Sequence, residues 1–215
     1  THLCFLALAV AEASLDLHEF VKNPDLSKYQ DPSKFIWTNS SVYLLRLSVP
    51  AETTRNISET PIPCVRSQYW SNTSEKVERS VDVYNKTNHS DYRSTNITLT
   101  VKSEDFQTLL NVDHKGEKFS IMNLTDQEIA ISSTNYTFLV LFSDSNCLIL
   151  ARTLQTAKIK RNWLQCFMWL PEHRITKPPK CCQFVFELLC AYMVDTVEVF
   201  DQSCLNATAR SSNST

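Results

Sequence analysis

Eight cysteines carry the densest chemistry in this 215-residue sequence. Three of them, Cys181, Cys182 and Cys190, fall within the stretch Pro178 to Ala191, PPKCCQFVFELLCA. Such a group can hold a metal, exchange electrons or anchor disulfides. A structural zinc site wants cysteine pairs two to four residues apart, whereas adjacent Cys181 and Cys182 point to different faces of a helix. A redox dithiol wants C-x-x-C with a depressed thiolate pKa, and that spacing does not occur. Disulfides fit best if the compartment is oxidising, and neither a metal site nor a cofactor is expected. The histidines outside the first residues, His18, His89, His114 and His173, stand in polar stretches without H-E-x-x-H or other paired-ligand spacing. The single glycine, Gly116, rules out a glycine-rich phosphate loop and the G-x-S-x-G nucleophile elbow. In Asp113-His-Lys-Gly-Glu117 it suits a hairpin turn. No catalytic residue is assigned, and the chain reads as something other than an enzyme.

The N-terminus speaks to the compartment. Leu3 to Val10, LCFLALAV, is wholly apolar, and Ala11-Glu12-Ala13 follows with small residues where a signal peptidase needs them. At about ten residues the run is too short for a bilayer, which takes roughly twenty. We expect a secretory leader over residues 1–13, one domain over 14–205 and a polar tail over 206–215. Glycosylation sequons at Asn39, Asn56, Asn72, Asn85, Asn88, Asn96, Asn123, Asn135, Asn206 and Asn213 agree with a secreted, sugar-coated surface. With 21 basic and 23 acidic residues there is no electrostatic footprint for nucleic acid. Lys158-Ile-Lys-Arg161 reads as a solvated turn. No later run approaches membrane length, so the expectation is a soluble monomer.

These side chains must be positioned by strands. Val42 to Val49, Cys64 to Trp70, Lys76 to Tyr84, Thr95 to Val101 and Lys118 to Met122 have β-branched or alternating character. Glu128 to Ser132, Tyr136 to Phe142, Cys147 to Arg152 and Trp163 to Leu170 complete eight or nine short strands, the pattern of a sandwich or closed barrel. Helical signals sit at the ends. Asp31 to Trp37 begins with Asp31 as N-cap and Pro32 at the first helical position, and a longer helix starts at Pro178 or Pro179. In the latter, Cys182, Val185, Phe186, Leu189 and Met193 form one apolar face that should dock outside the barrel.

A short helix, an eight-stranded antiparallel meander and a C-terminal helix are the layout of a lipocalin, whose barrel holds one small ligand. The segments Phe142-Ser-Asp-Ser-Asn-Cys147, the Trp169 region, Lys180-Cys-Cys182 and Asp201-Gln-Ser-Cys-Leu205 resemble the tick salivary histamine-binding lipocalins, as do Asp31 to Trp37 and Pro63-Cys-Val65. The resemblance runs from about Gln30 to Leu205. It implies disulfides Cys64–Cys204 and Cys147–Cys182. With Cys4 lost in the leader, Cys166 is left to reach Cys190 or Cys181, and one thiol remains unpaired or bonds another chain.

Amine-binding members of that family resemble one another in placing Asp directly after the late-strand cysteine, and Glu-Leu before a Trp or Tyr. Carboxylates and an aromatic face are what a buried ammonium needs. The matching positions here are Cys147-Leu148 and Phe167-Met168-Trp169, so the aromatic stays and both acids are absent. A pocket lined by Leu148, Phe167, Trp169, Phe138 and Phe142 suits an apolar ligand, such as the leukotrienes that other tick lipocalins take. Arg46 or Arg66, if inward, would pair with a ligand carboxylate. Outward placement is the ordinary reading for both. Trp169 equally suits plain core packing. Trp37 reads as a plug for the barrel end, and Trp70 as a strand aromatic. Glu52, Glu59, Asp144 and Glu172 fall near loops or strand ends, where solvated charge is the default. Two functions follow: a secreted scavenger of a small host mediator, amine or lipid, or a module that binds host defence proteins through its outer surface.

Overall fold

The structure, a computed structural model, describes residue 23 and residues 25–49, 62–87, 92–104, 107–114, 135–152, 164–191 and 194–206. The leader, residues 207–215 of the tail, the Gly116 turn and the strands expected over 118–122 and 128–132 lie outside the described residues.

Nine strands form one antiparallel sheet: β1 (Val42–Val49), β2 (Cys64–Asn72), β3 (Val77–Tyr84), β4 (Arg93–Glu104), β5 (Gln107–His114), β6 (Asn135–Asp144), β7 (Cys147–Arg152), β8 (Gln165–Pro171) and β9 (Asp195–Glu198). Their order is β2-β3-β4-β5-β6-β7-β8-β1-β9, and a β1–β2 pairing at Val42 and Tyr43 closes the first eight into a barrel. Closure removes the sheet edges that would otherwise invite pairing with another chain. Strand β9 continues the β1 edge from Arg46 to Val49, where β2 no longer pairs. Sequence alternation foresaw most of these strands. It missed β5, where only Leu110 and His114 are fully buried, and the mostly exposed β9.

Helix α1 (Ser33–Ile36) begins one residue later than expected, with Pro32 at the N-cap; just before it the Asp31 carboxylate accepts hydrogen bonds from Ser33 N at 3.0 Å and Ser33 Oγ at 2.6 Å. Its Phe35 and Ile36 enter the barrel, whereas Trp37 stays 47% exposed. The plug is therefore Phe35 and Ile36, correcting the assignment to Trp37. A second short helix, α2 (Glu172–Ile175), follows β8, and α3 (Lys180–Leu189) starts just after the two prolines. Helix α3 buries Cys182, Val185, Phe186 and Leu189 against the outer face of β6, β7, β8 and β1, where Leu141, Ile149, Met168 and Leu170 point. Met193, expected on the same face, lies outside the described residues.

Three disulfides tie these layers together: Cys64–Cys204, Cys147–Cys182 and Cys166–Cys190, with Cα–Cα distances of 5.6, 6.2 and 5.8 Å. Of the two partners open to Cys166, Cys190 is the one used. The bonds close loops spanning 140, 35 and 24 residues, and each contributes roughly 2–5 kcal/mol. Cys181 is disulfide-bonded as well, which corrects the expectation of one leftover thiol.

Candidate functional site

Strand alternation sorts the side chains of the barrel wall into two sets. The interior set includes Leu44, Leu47, Val65, Val77, Val81, Ile97, Leu99, Leu110, Val140, Leu148, Leu150, Phe167 and Trp169. Cross-strand registers bring the motif positions together: Leu148 faces Trp169, which faces Leu44, and Leu150 faces Phe167, which faces Leu47. Phe138 meets Phe167 edge to face, with centroids 5.7 Å apart. Leu148, Phe167, Trp169 and Phe138 thus line the interior.

Two expected neighbours do not, for one physical reason. A β-bulge between Val140 and Phe142 adds a residue to β6, so Leu141 and Phe142 both face α3 and Ser143 turns inward opposite Leu148. A second bulge, between Leu44 and Arg46, turns Leu45 and Arg46 outward together. Arg46 ion-pairs there with Glu187 of α3 and Glu198 of β9 and lies over the Phe186 ring. Phe142 and Arg46 are corrected to outer-face residues. Arg66 alternates out from Val65 without any bulge. It donates from Nε (3.1 Å) and Nη2 (3.0 Å) to Asp82 Oδ2, while Ser94 Oγ donates to Asp82 Oδ1 at 2.7 Å. Its guanidinium also lies over Tyr84, whose hydroxyl donates to Cys204 O at 2.6 Å. Burial holds the Tyr84 phenol well above its ordinary value, against the lowering effect of Arg66. This network pins the C-terminal segment to the barrel's outer wall, so Arg66 is also corrected.

Sequence reading passed over the charged groups that do enter the barrel. Arg79 is almost fully buried on the Val77–Val81 face. It donates to Ile36 O (3.0 Å), Thr38 O (2.7 Å), Ser40 O (2.9 Å), Ser67 O (3.2 Å) and Ser67 Oγ (3.0 Å), locking α1 into its end of the barrel. Burial lowers its pKa to about 10, with Tyr69 opposing. The alternation of KVERSVDVY already placed an arginine on an apolar face. His114, expected in a polar turn, ends β5 on the interior face, 7% exposed and stacked on Tyr136 at 5.7 Å. Arg152 and Gln165, paired across β7 and β8, stand two residues beyond the Leu150 and Phe167 pair and share their interior face. Among the described residues of β1–β8, no Asp or Glu points inward: Glu78, Asp82, Glu104, Asp113 and Asp144 all occupy outward positions in the register. Glu172 is exposed on α2, and Glu52 and Glu59 lie outside the described residues.

Of the sequons, Asn39, Asn72, Asn96 and Asn206 are exposed and Asn85 is half-buried. Trp70 is 64% exposed. Among the described residues no cluster of His, Cys, Asp or Glu could hold a metal, and no helix is long and apolar enough to cross a membrane.

A search of curated protein sequences returned no match. Among solved structures, the chain is similar to japanin from Rhipicephalus appendiculatus bound to cholesterol, with 19% identity and a TM-score of 0.49 over 78% of this chain and 96% of that one. It is similar to AM182 in complex with serotonin, with 16% identity and a TM-score of 0.48 over 80% and 90%. It is also similar to the amine-binding protein of Rhodnius prolixus in its tryptamine complex, with 10% identity and a TM-score of 0.44 over 82% and 88%. At such identities and scores these likenesses decide nothing about the ligand. The family model for tick histamine-binding proteins matches residues 20–206, and the chain belongs to that family of binding proteins.

Proposed function

We propose that this protein is a secreted lipocalin that sequesters an apolar, lipid-type mediator in its barrel, a leukotriene being the type of ligand meant, and thereby blunts host defence. One observation carries the reading. The two positions where amine-binding relatives resemble one another in bearing acids are Leu148 and Phe167 here. Both face the interior beside Trp169, and no other inward carboxylate among the described residues of β1–β8 replaces them. Burying an ammonium without a carboxylate partner forfeits several kcal/mol, whereas an acyl or polyene chain gains about 25 cal/mol per Å² of apolar area buried. Disulfides support an oxidising, extracellular destination. The leader over residues 1–13 is proposed with it, and N-terminal sequencing of the secreted protein, expected to begin near Ser14, tests that boundary.

Native mass spectrometry of the purified protein against a panel of histamine, serotonin, fatty acids and eicosanoids tests the ligand class. A one-to-one complex with a lipid and none with the amines is expected. Retention of an amine alone would overturn the reading. An empty barrel against the whole panel would favour a surface that binds host proteins instead.

A further inference from the structure

We propose that the barrel end opposite α1 is an anion-recognition site, formed by His114, Arg152 and Gln165, that receives the carboxylate head of an amphipathic ligand whose apolar body lies against Trp169, Phe167 and Leu148. It rests on the apolar-ligand reading above and adds the polarity and orientation of that ligand.

Topology places the three groups together. Strands β5 and β7 end, and β8 begins, at the end of the barrel away from α1, and His114, Arg152 and Gln165 are the residues at those strand termini. Register turns all three inward: His114 faces Ile97, and Arg152 faces Gln165 two residues beyond the interior Leu150 and Phe167 pair.

His114 is the observation that points to a ligand. It is 7% exposed, yet neither Nδ1 nor Nε2 has a hydrogen-bond partner. A buried polar group left unmet costs about 1–3 kcal/mol, so one held in place asks for a reason. Stacking on Tyr136, with ring planes 26° apart, fixes the imidazole in that unmet state. Arg152 is half-buried next to the same tyrosine. Burial draws its pKa below the ordinary value while Tyr136 opposes this, and an arginine so shifted still carries its charge. At the other end Arg79 donates to the backbone carbonyls of α1, the following loop and Ser67, and closes that end. From Leu148 to Arg152 the wall of β7 runs about 13 Å, at roughly 3.3 Å per residue. That length suits an extended chain with its head at Arg152 more than a compact aromatic amine.

The test compares palmitic acid with its methyl ester by calorimetry on the full chain, in the wild type and in R152Q, R152K, H114L and W169A, each checked for an intact melting transition. The wild type should bind the acid about tenfold tighter than the ester. R152Q and H114L should each remove most of that preference while leaving ester affinity unchanged, and R152K should retain it. W169A should weaken acid and ester alike. Equal binding of acid and ester by the wild type, or an undiminished preference in both R152Q and H114L, would overturn the head-group site and leave the apolar pocket standing. Failure of acid and ester alike to bind would overturn the pocket as well.

Discussion

The two faces of the wall built by β6, β7, β8 and β1 are made of the same kinds of residue and are treated differently. Outward, Ile149, Ala151, Cys166, Met168 and Leu170 are fully buried under α3, and the disulfides Cys147–Cys182 and Cys166–Cys190 hold that helix in place. Inward, Trp169 is 9% exposed, Leu150 6% and Phe138 half-buried, while Leu44 and Val140 are fully buried. The outer face has a covalently fixed partner from its own chain. Among the described helices, the inner face meets α1 through Phe35 and Ile36, with Arg79 anchoring that contact. One face is a finished core and, on the proposed function, the other is a lining. The difference comes from which partner the chain supplies, because the hydrophobic character of the two faces is alike.

The largest test of that contrast is F186A, which opens a cavity under α3 and should cost about 3–5 kcal/mol in urea unfolding, with lipid affinity of the folded protein unchanged. W169A should cost less stability than F186A but weaken lipid binding by about tenfold or more. Equal stability losses in the two variants would mean that the interior is a packed core and would break the comparison.

Next in size is D82A on the outer wall, which strands the Arg66 guanidinium in a buried site beside Tyr84. A loss of about 3–5 kcal/mol is expected, again without effect on ligand binding. If ligand affinity falls in parallel with stability, Arg66 acts on the interior after all.

The smallest expected effect is alkaline. The Tyr84 phenol is raised above 10.0 in the folded protein, so its contribution is complete below pH 10 and fades as pH climbs toward the raised folded value, because the unfolded chain has released a proton that the native one keeps. Melting temperatures of the wild type should therefore fall above pH 10 more steeply than those of Y84F. Parallel curves would remove Tyr84 from the account.

Fold and site were unequally legible in the sequence. Alternating runs such as KVERSVDVY and the step Pro178-Pro179 carry local physics, so most strands and α3 could be read from them, whereas the lipocalin barrel and two of the disulfides were implied by the resemblance to the tick histamine-binding lipocalins. The same resemblance, through its motif positions, put Leu148, Phe167 and Trp169 at the pocket, and the register places them on the interior. The facing of Arg46 and Phe142 was not legible because each follows a bulge, and a bulge adds a residue that no composition signal marks. His114 was lost for another reason: its polar neighbours and Gly116 suggested a turn, whereas pairing with β4 carried the strand on to that residue. Arg66 was undecidable alone, since its carboxylate partner Asp82 comes from the neighbouring strand.

The central claim is that the missing acids at Leu148 and Phe167 set the ligand class, and a calorimetric titration of histamine into the wild type and into the L148D/F167E double variant tests it most directly. The account predicts no sub-micromolar binding by the wild type and a gain of at least about a hundredfold in the variant, as expected when a buried ammonium regains its carboxylates. Sub-micromolar histamine binding by the wild type would contradict it.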